Sequence, residues 1–200
     1  MDLQHIAPRV PPRVARAGGE FGRWFGCAIL RLVGWRITGQ LPDTEKMIVI
    51  AAPHTSNWDW ALAMPSLFAL GVRINYLIKD TAFWWPASLL LKATGGIPVN
   101  RREPAGMAED VSRRIREAER IIMVITPEGT RARVEKWKTG FLRIAQLADV
   151  PVVQLSWDYP SRTIHLGPVA EVSGDSEADI ARIRAYYRAF TGRNPENQSP

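Results

Sequence analysis

Apolar positions along the chain come in short continuous runs separated by longer periodic stretches. Met47 to Ala52, Ile121 to Thr126 and Val150 to Ser156 have the length and β-branched content of buried strands; Val72 to Ile78 reads as another strand, with Trp35 to Gly39 and Thr163 to Leu166 as shorter ones. Gly95 to Asn100 reads as a tight turn and a brief strand that delivers Arg101 at its end. The intervening stretches predict helices over Glu20 to Trp35, Trp58 to Leu70, Thr139 to Ala148 and Ser176 to Phe190. Another is expected over Pro104 to Arg120, with Pro in the first turn and Met107, Val111, Ile115 and Ala118 along one face. Ser176 and Asp179 have capping-box spacing. Strands alternating with helices in this way predict an α/β fold, a single-layer mixed sheet flanked by helices.

A chain of 200 residues suits one domain with a substantial core. Four segments are expected within it. Residues 1–19, with Pro8, Pro11 and Pro12 among Arg9, Arg13 and Arg16, form a loosely ordered basic leader without a secretory h-region. Residues 20–34 form an amphipathic helix, 35–191 the main domain and 192–200 a polar, frayed tail. The 20–34 helix carries Phe21, Trp24, Phe25, Ile29 and Leu30 between Arg23 and Arg31. It is too short and charged to span a bilayer, which takes about 20 apolar residues, but suits the headgroup region. Packing against the core would give the same periodicity. Phe83-Trp84-Trp85-Pro86 with Leu89 to Leu91 is a second membrane or acyl-chain candidate, and a buried helix is its alternative.

The net charge of +6 implies an anionic partner: nucleic acid, phosphorylated small molecules or acidic phospholipid. Basic residues between Arg101 and Arg143 are interspersed with acids and no nucleic-acid-binding motif is present, which argues against nucleic acid. Six of the eight tryptophans lie in the first 85 residues, and tryptophan favours sites with one apolar and one wet side. The single Cys27 excludes an intramolecular disulfide or thiolate cluster, so a reducing cytosolic face is expected.

The candidate chemistry centres on Pro53-His54-Thr55-Ser56-Asn57-Trp58-Asp59, where a strand ends and a helix begins. A carboxylate on the second ring nitrogen of a histidine fixes its tautomer and stabilises the imidazolium, so His54 and Asp59 could form a general base. Ser56 and Asp59 also have capping-box spacing, which would make Asp59 structural. Strand ends are where ligands gather in such sheets. Three of them carry unusual polar groups: His54 with Asp59, Arg101, and Glu128-Gly129-Thr130-Arg131. His5 and His165 have no such setting, no zinc-ligand spacing is present, and there is no Gly-x-Ser-x-Gly elbow.

These blocks resemble four ordered motifs of the glycerolipid acyltransferases: His54-x4-Asp59, Gly95-x-Ile97-Pro98-Val99-Asn100-Arg101, Pro127-Glu128-Gly129-Thr130-Arg131 and Val150-Pro151-Val152-Val153. The resemblance, nearest to the bacterial 1-acyl-glycerol-3-phosphate acyltransferases, spans roughly residues 35–170. Pro53 stands where the family usually has Asn, and Asn100 where Asp is usual; Glu135 to Gly140 resembles a compact subgroup.

The resemblance implies transfer of an acyl group from a coenzyme A or acyl carrier protein thioester to a lysolipid hydroxyl. His54 would act as base, oriented by Asp59, with no covalent intermediate. Arg101 would grip an acceptor phosphate, a surface salt bridge with Glu103 being its alternative. Glu128 would bond acceptor hydroxyls, Gly129 would admit backbone N–H groups, and Thr130 and Arg131 would line the same mouth; an ordinary turn is the alternative. It further implies no metal or redox cofactor, and a peripheral or monotopic place on anionic lipid at the cytoplasmic face of the inner membrane. The acceptor is expected to be a lysophospholipid such as 1-acyl-glycerol-3-phosphate; an acyltransferase for a different lysolipid acceptor, or a non-catalytic membrane lipid-binding module of the same fold, are the competing readings.

Overall fold

The computed structural model describes residues 3–99 and 106–199. The strands, in chain order, are β1 (Arg36–Gly39), β2 (Lys46–Ala52), β3 (Asn75–Lys79), β4 (Gly96–Val99), β5 (Ile121–Ile125), β6 (Val152–Asp158) and β7 (Thr163–Ala170). The helices are α1 (Glu20–Leu32), α2 (Trp58–Leu70), α3 (Ala87–Ala93), α4 (Met107–Glu117), α5 (Gly140–Ala148) and α6 (Ser176–Tyr187). Among the described residues one seven-stranded sheet forms in the order β1-β7-β6-β2-β5-β3-β4. The β6–β7 pair is antiparallel and the other pairs are parallel. This is the mixed sheet flanked by helices that the alternation predicts.

Strand β2 explains the layering. Its run of apolar residues is buried on both faces, as a central parallel strand requires. Met47, Val49 and Ala51 join the core with Cys27 and Leu30 of α1 and Leu62, Ala69 and Leu70 of α2. Ile48, Ile50 and Ala52 join the opposite core with Val111 and Ile115 of α4, Phe141 and Leu142 of α5, and Ile183 and Tyr187 of α6. At roughly 1.5–3 kcal/mol per fully buried large aliphatic side chain, this strand is a principal anchor of the fold. β5 and β6 run parallel on either side of it, so the carboxyl ends of all three reach the same edge.

The leader is not loose. Ile6, Ala7, Val10, Val14 and Ala15 are buried in the α1–α2 core, Arg16 bridges to Val72, and Ala17 N–H donates to Gly71 O. Arg23, also buried, ties leader to helices: its guanidinium donates to the carbonyls of Ala7 (2.7 Å), Pro8 (3.2 Å) and Ala69 (2.6 Å). Three acceptors offset the cost of burying that charge. α1 turns Gly26 and Cys27 inward and leaves Phe21, Trp24, Phe25 and Leu32 exposed.

Several boundaries differ from the pattern-based expectation. β3 begins at Asn75 because Val72 is taken up by the leader. The Phe83-Trp84-Trp85-Pro86 segment lies between a 3-10 turn (Asp80–Ala82) and α3, on which Leu89 and Leu90 are exposed rather than buried. The cap of α6 is Asp175, which accepts from Glu177 and Ala178 N–H; Asp179 is buried and accepts instead from Ser173 and Gly174. The tail folds back: Asn194 bonds Thr55, and Gln198 donates to Phe190 O. No helix among the described residues is long and apolar enough to cross a membrane.

Candidate active site

β2 ends at Ala52 against the core, and Pro53 to Asn57 carry the chain to the first turn of α2. There Asp59, wholly buried, becomes the hub of the loop. Its Oδ2 accepts the N–H groups of Thr55 and Ser56, both at 3.1 Å, and lies 3.0 Å from His54 Nδ1. Its Oδ1 accepts the hydroxyl of Tyr159 at 2.7 Å. These donors compensate a buried carboxylate that would otherwise be costly. The capping spacing is thus put to a double use: Asp59 reaches back to the loop N–H groups while also facing the imidazole. Ser56 takes the other half, its Oγ accepting Trp58 N–H at 3.2 Å.

The His54–Asp59 approach is close but lacks the alignment of a full hydrogen bond. Such contacts in ligand-free sites commonly tighten when substrate binds. With Nδ1 turned to Asp59, Nε2 is the ring nitrogen left for a substrate, and the mostly buried ring lies 6.0 Å from that of Trp157.

His54 and Asp59 open on a cavity of about 400 Å³ between the sheet and α2. Val49, Ala51, Ile122, Val124 and Leu155 of the sheet face Ala63, Met64, Leu67 and Leu70 of α2 across it, making an apolar chamber. Its polar lining includes Lys79, Thr126, Gly129, Thr130 and Arg131. This volume is typical of small-molecule sites, roughly 300–1,000 Å³.

The structure therefore brings His54, Asp59, Gly129, Thr130 and Arg131 together, and separates Glu128 from them. Glu128 is buried and does not line the cavity; its Oε2 accepts His54 N–H at 2.8 Å. It holds the His54 backbone, and borders a second cavity of about 340 Å³ with Pro53, Trp137 and Arg188. Burial pushes its carboxyl up to about 7, opposed by the His54 N–H and reinforced by the Asp59 charge. Gly129 is required in its turn by φ of +67°, and its N–H donates to Thr126 O at 3.0 Å, so that group closes the turn. Thr130 Oγ1 accepts Ala132 N–H. Arg101 lies outside the described residues.

A family model described as Acyltransferase matches residues 35–157, the stretch that runs from just before β1 to the end of β6. The chain belongs to the acyltransferase family. Among solved structures this acyltransferase is similar to the 1-acyl-sn-glycerophosphate (LPA) acyltransferase PlsC from Thermotoga maritima. The TM-score is 0.58 at 13% identity, covering 87% of this chain and 80% of that one. At that identity the likeness is one of fold. No curated protein matches.

Two features of the acyltransferase site escaped the motif reading. Tyr159 follows β6, whose carboxyl end lies on the same edge as that of β2; the strand-end rule that singled out His54 and Glu128 applies there equally. The other is the tail, where Arg193 sits over the Trp58 ring at 4.8 Å and Asn194 clasps Thr55. Its polar, aperiodic sequence carried no signal.

Proposed function

We propose that the enzyme moves a fatty acyl group from a coenzyme A or acyl carrier protein thioester to a hydroxyl of a lysophospholipid, such as 1-acyl-glycerol-3-phosphate. The observation that carries this reading is the pairing of His54 with a buried Asp59 at the wall of an apolar cavity. A base beside a water-poor chamber suits a reaction between a hydroxyl and a long acyl chain. The activity named for the solved structure of similar fold favours the same acceptor class.

In this mechanism His54 Nε2 takes the proton of the acceptor hydroxyl as its oxygen attacks the thioester carbonyl. Asp59 keeps the proton on Nδ1 and stabilises the imidazolium, a step worth roughly 10²–10⁴-fold. The tetrahedral intermediate then expels the thiolate, which takes the proton back from His54, leaving an ester and a free thiol. Transfer is direct. Cys27 is buried within α1 away from the cavity, and burial holds its thiol above the ordinary range, so it is unsuited to carry the acyl group.

The apolar chamber would take the acyl chain. Lys79 and Arg131 offer positive charge to an acceptor phosphate, a task that the family resemblance also assigns to Arg101. Glu128, given its bond to His54 N–H, serves the base rather than the acceptor. Phe21, Trp24, Phe25 and Phe68 on α1 and α2, and Trp84, Trp85, Leu89 and Leu90 around α3, are exposed. We assign these groups to the headgroup region of an anionic membrane on its cytoplasmic side, where lysolipid is delivered. No cofactor beyond the thioester is invoked.

The test is free-thiol release from acyl-coenzyme A and from acyl carrier protein donors with lysophosphatidic acid, other lysolipids or no acceptor. Release that depends on a phosphorylated lysolipid supports the reading. Release only with an unphosphorylated acceptor would overturn the acceptor class.

A further inference from the structure

We infer that Tyr159 is a positioning residue of the acyl-transfer site, the outer member of a Tyr159–Asp59–His54 chain that fixes the carboxylate facing the base. The inference rests on the proposed role of His54. Three groups crowd one carboxylate oxygen of Asp59: the N–H groups of Thr55 and Ser56 at 3.1 Å and His54 Nδ1 at 3.0 Å. The Tyr159 hydroxyl engages the other oxygen, at 2.7 Å. A carboxylate gripped at both oxygens cannot turn about its Cβ–Cγ bond. Asp59 is fully buried, so its partners are protein groups rather than bulk solvent.

Tyr159 is itself held rigidly. Its ring packs edge-on against Trp35 with centroids 4.9 Å apart, and its N–H donates to Thr191 O at 3.0 Å. Asp158 accepts Thr191 N–H in return at 3.1 Å, clasping the C-terminal segment to the end of β6. Charged groups face the chain from three sides: Arg193 from that segment interacts with the hydroxyl, Glu128 from the turn after β5 bonds His54 N–H, and Asp158 precedes the tyrosine. Burial, with the Asp59 acceptor adding to it, holds the hydroxyl firmly protonated. Tyr159 is therefore a permanent donor. It does not line the cavity, so it acts through Asp59 and not on substrate.

Tyr159→Phe keeps the ring on Trp35 and removes only the bond to Oδ1. A hydrogen bond to a charged group converts to a fall in kcat of roughly tenfold to hundredfold, with KM for both substrates unchanged. In the full-length chain, the NMR resonance of the His54 Nδ1 proton should also move, since the Asp59 carboxylate facing it is left with one donor fewer. That resonance needs no turnover, so it reads the link even if His54→Ala proves active and the base assignment fails. Native kcat and a native Nδ1 proton resonance in Tyr159→Phe would overturn the inference. So would a loss of thermal stability alone, with turnover per folded molecule and that resonance unchanged.

Discussion

At the scale of single residues the site depends on two buried carboxyls with opposite duties. Asp59 is surrounded by donors and faces the imidazole, whereas Glu128 holds the loop backbone with a carboxyl pushed up to about 7. An acid whose folded pKa exceeds its ordinary value of 4.5 binds an extra proton on folding between those two values. Stability therefore falls as pH rises from about 4.5 to about 7 and levels off above, with a total of about 3 kcal/mol from this group. Glu128→Gln keeps an oxygen for His54 N–H and abolishes that slope. Urea unfolding at pH 5 and pH 8 should show the variant gaining on the native protein as pH rises; parallel curves would contradict the assignment. That His54, Asp59, Gly129, Thr130 and Arg131 meet at one cavity was legible because strand ends concentrate polar groups against an apolar background. The role of Glu128 was not, since the turn that puts its side chain under His54 N–H rather than in the cavity is a three-dimensional fact.

At the scale of elements, α1 packs against α2, which closes the cavity over the sheet. Their approach is set by Gly26, where an added Cβ would stand 2.4 Å from Ala69 N and 2.5 Å from Pro65 O. Backbone atoms cannot yield as side-chain ends do. Gly26→Val should separate the helices and destabilise the fold by about 1–3 kcal/mol or more, seen as a lowered midpoint in chemical unfolding. Since α2 also carries Asp59 and the chamber wall, the same variant should lose activity. An unfolding curve matching the native one would show that the helices can adjust. Strands β2, β5 and β6 were readable to within two residues because continuous burial leaves an unbroken apolar run. The leader was misread for the complementary reason. Ile6, Val10 and Val14 reach the core from a proline-rich chain with neither helical nor strand periodicity, so local pattern gave no sign of burial.

At the scale of the whole molecule, the positive charge and the exposed aromatic groups belong to one account of where the enzyme works. Cutting away residues 1–34 would remove Val14, Cys27 and Leu30 from the core and test folding rather than attachment. Surface substitutions avoid this. Replacing Phe21, Trp24, Trp84 and Trp85 by Ser should reduce sedimentation with anionic vesicles without changing the unfolding midpoint, and native binding should weaken as salt is raised. Equal vesicle binding by native and substituted chains would place the contact surface elsewhere.

The central claim is that His54, held by Asp59, deprotonates an acceptor hydroxyl beside the apolar chamber. Its most direct measurement is acceptor-dependent thiol release by the native chain, His54→Ala and Asp59→Asn, with each variant shown to be folded. Native release that depends on a lysolipid, lost in His54→Ala and reduced at least a hundredfold in Asp59→Asn, is the predicted result at roughly the scale of general-base catalysis. Native turnover in a folded His54→Ala would contradict it.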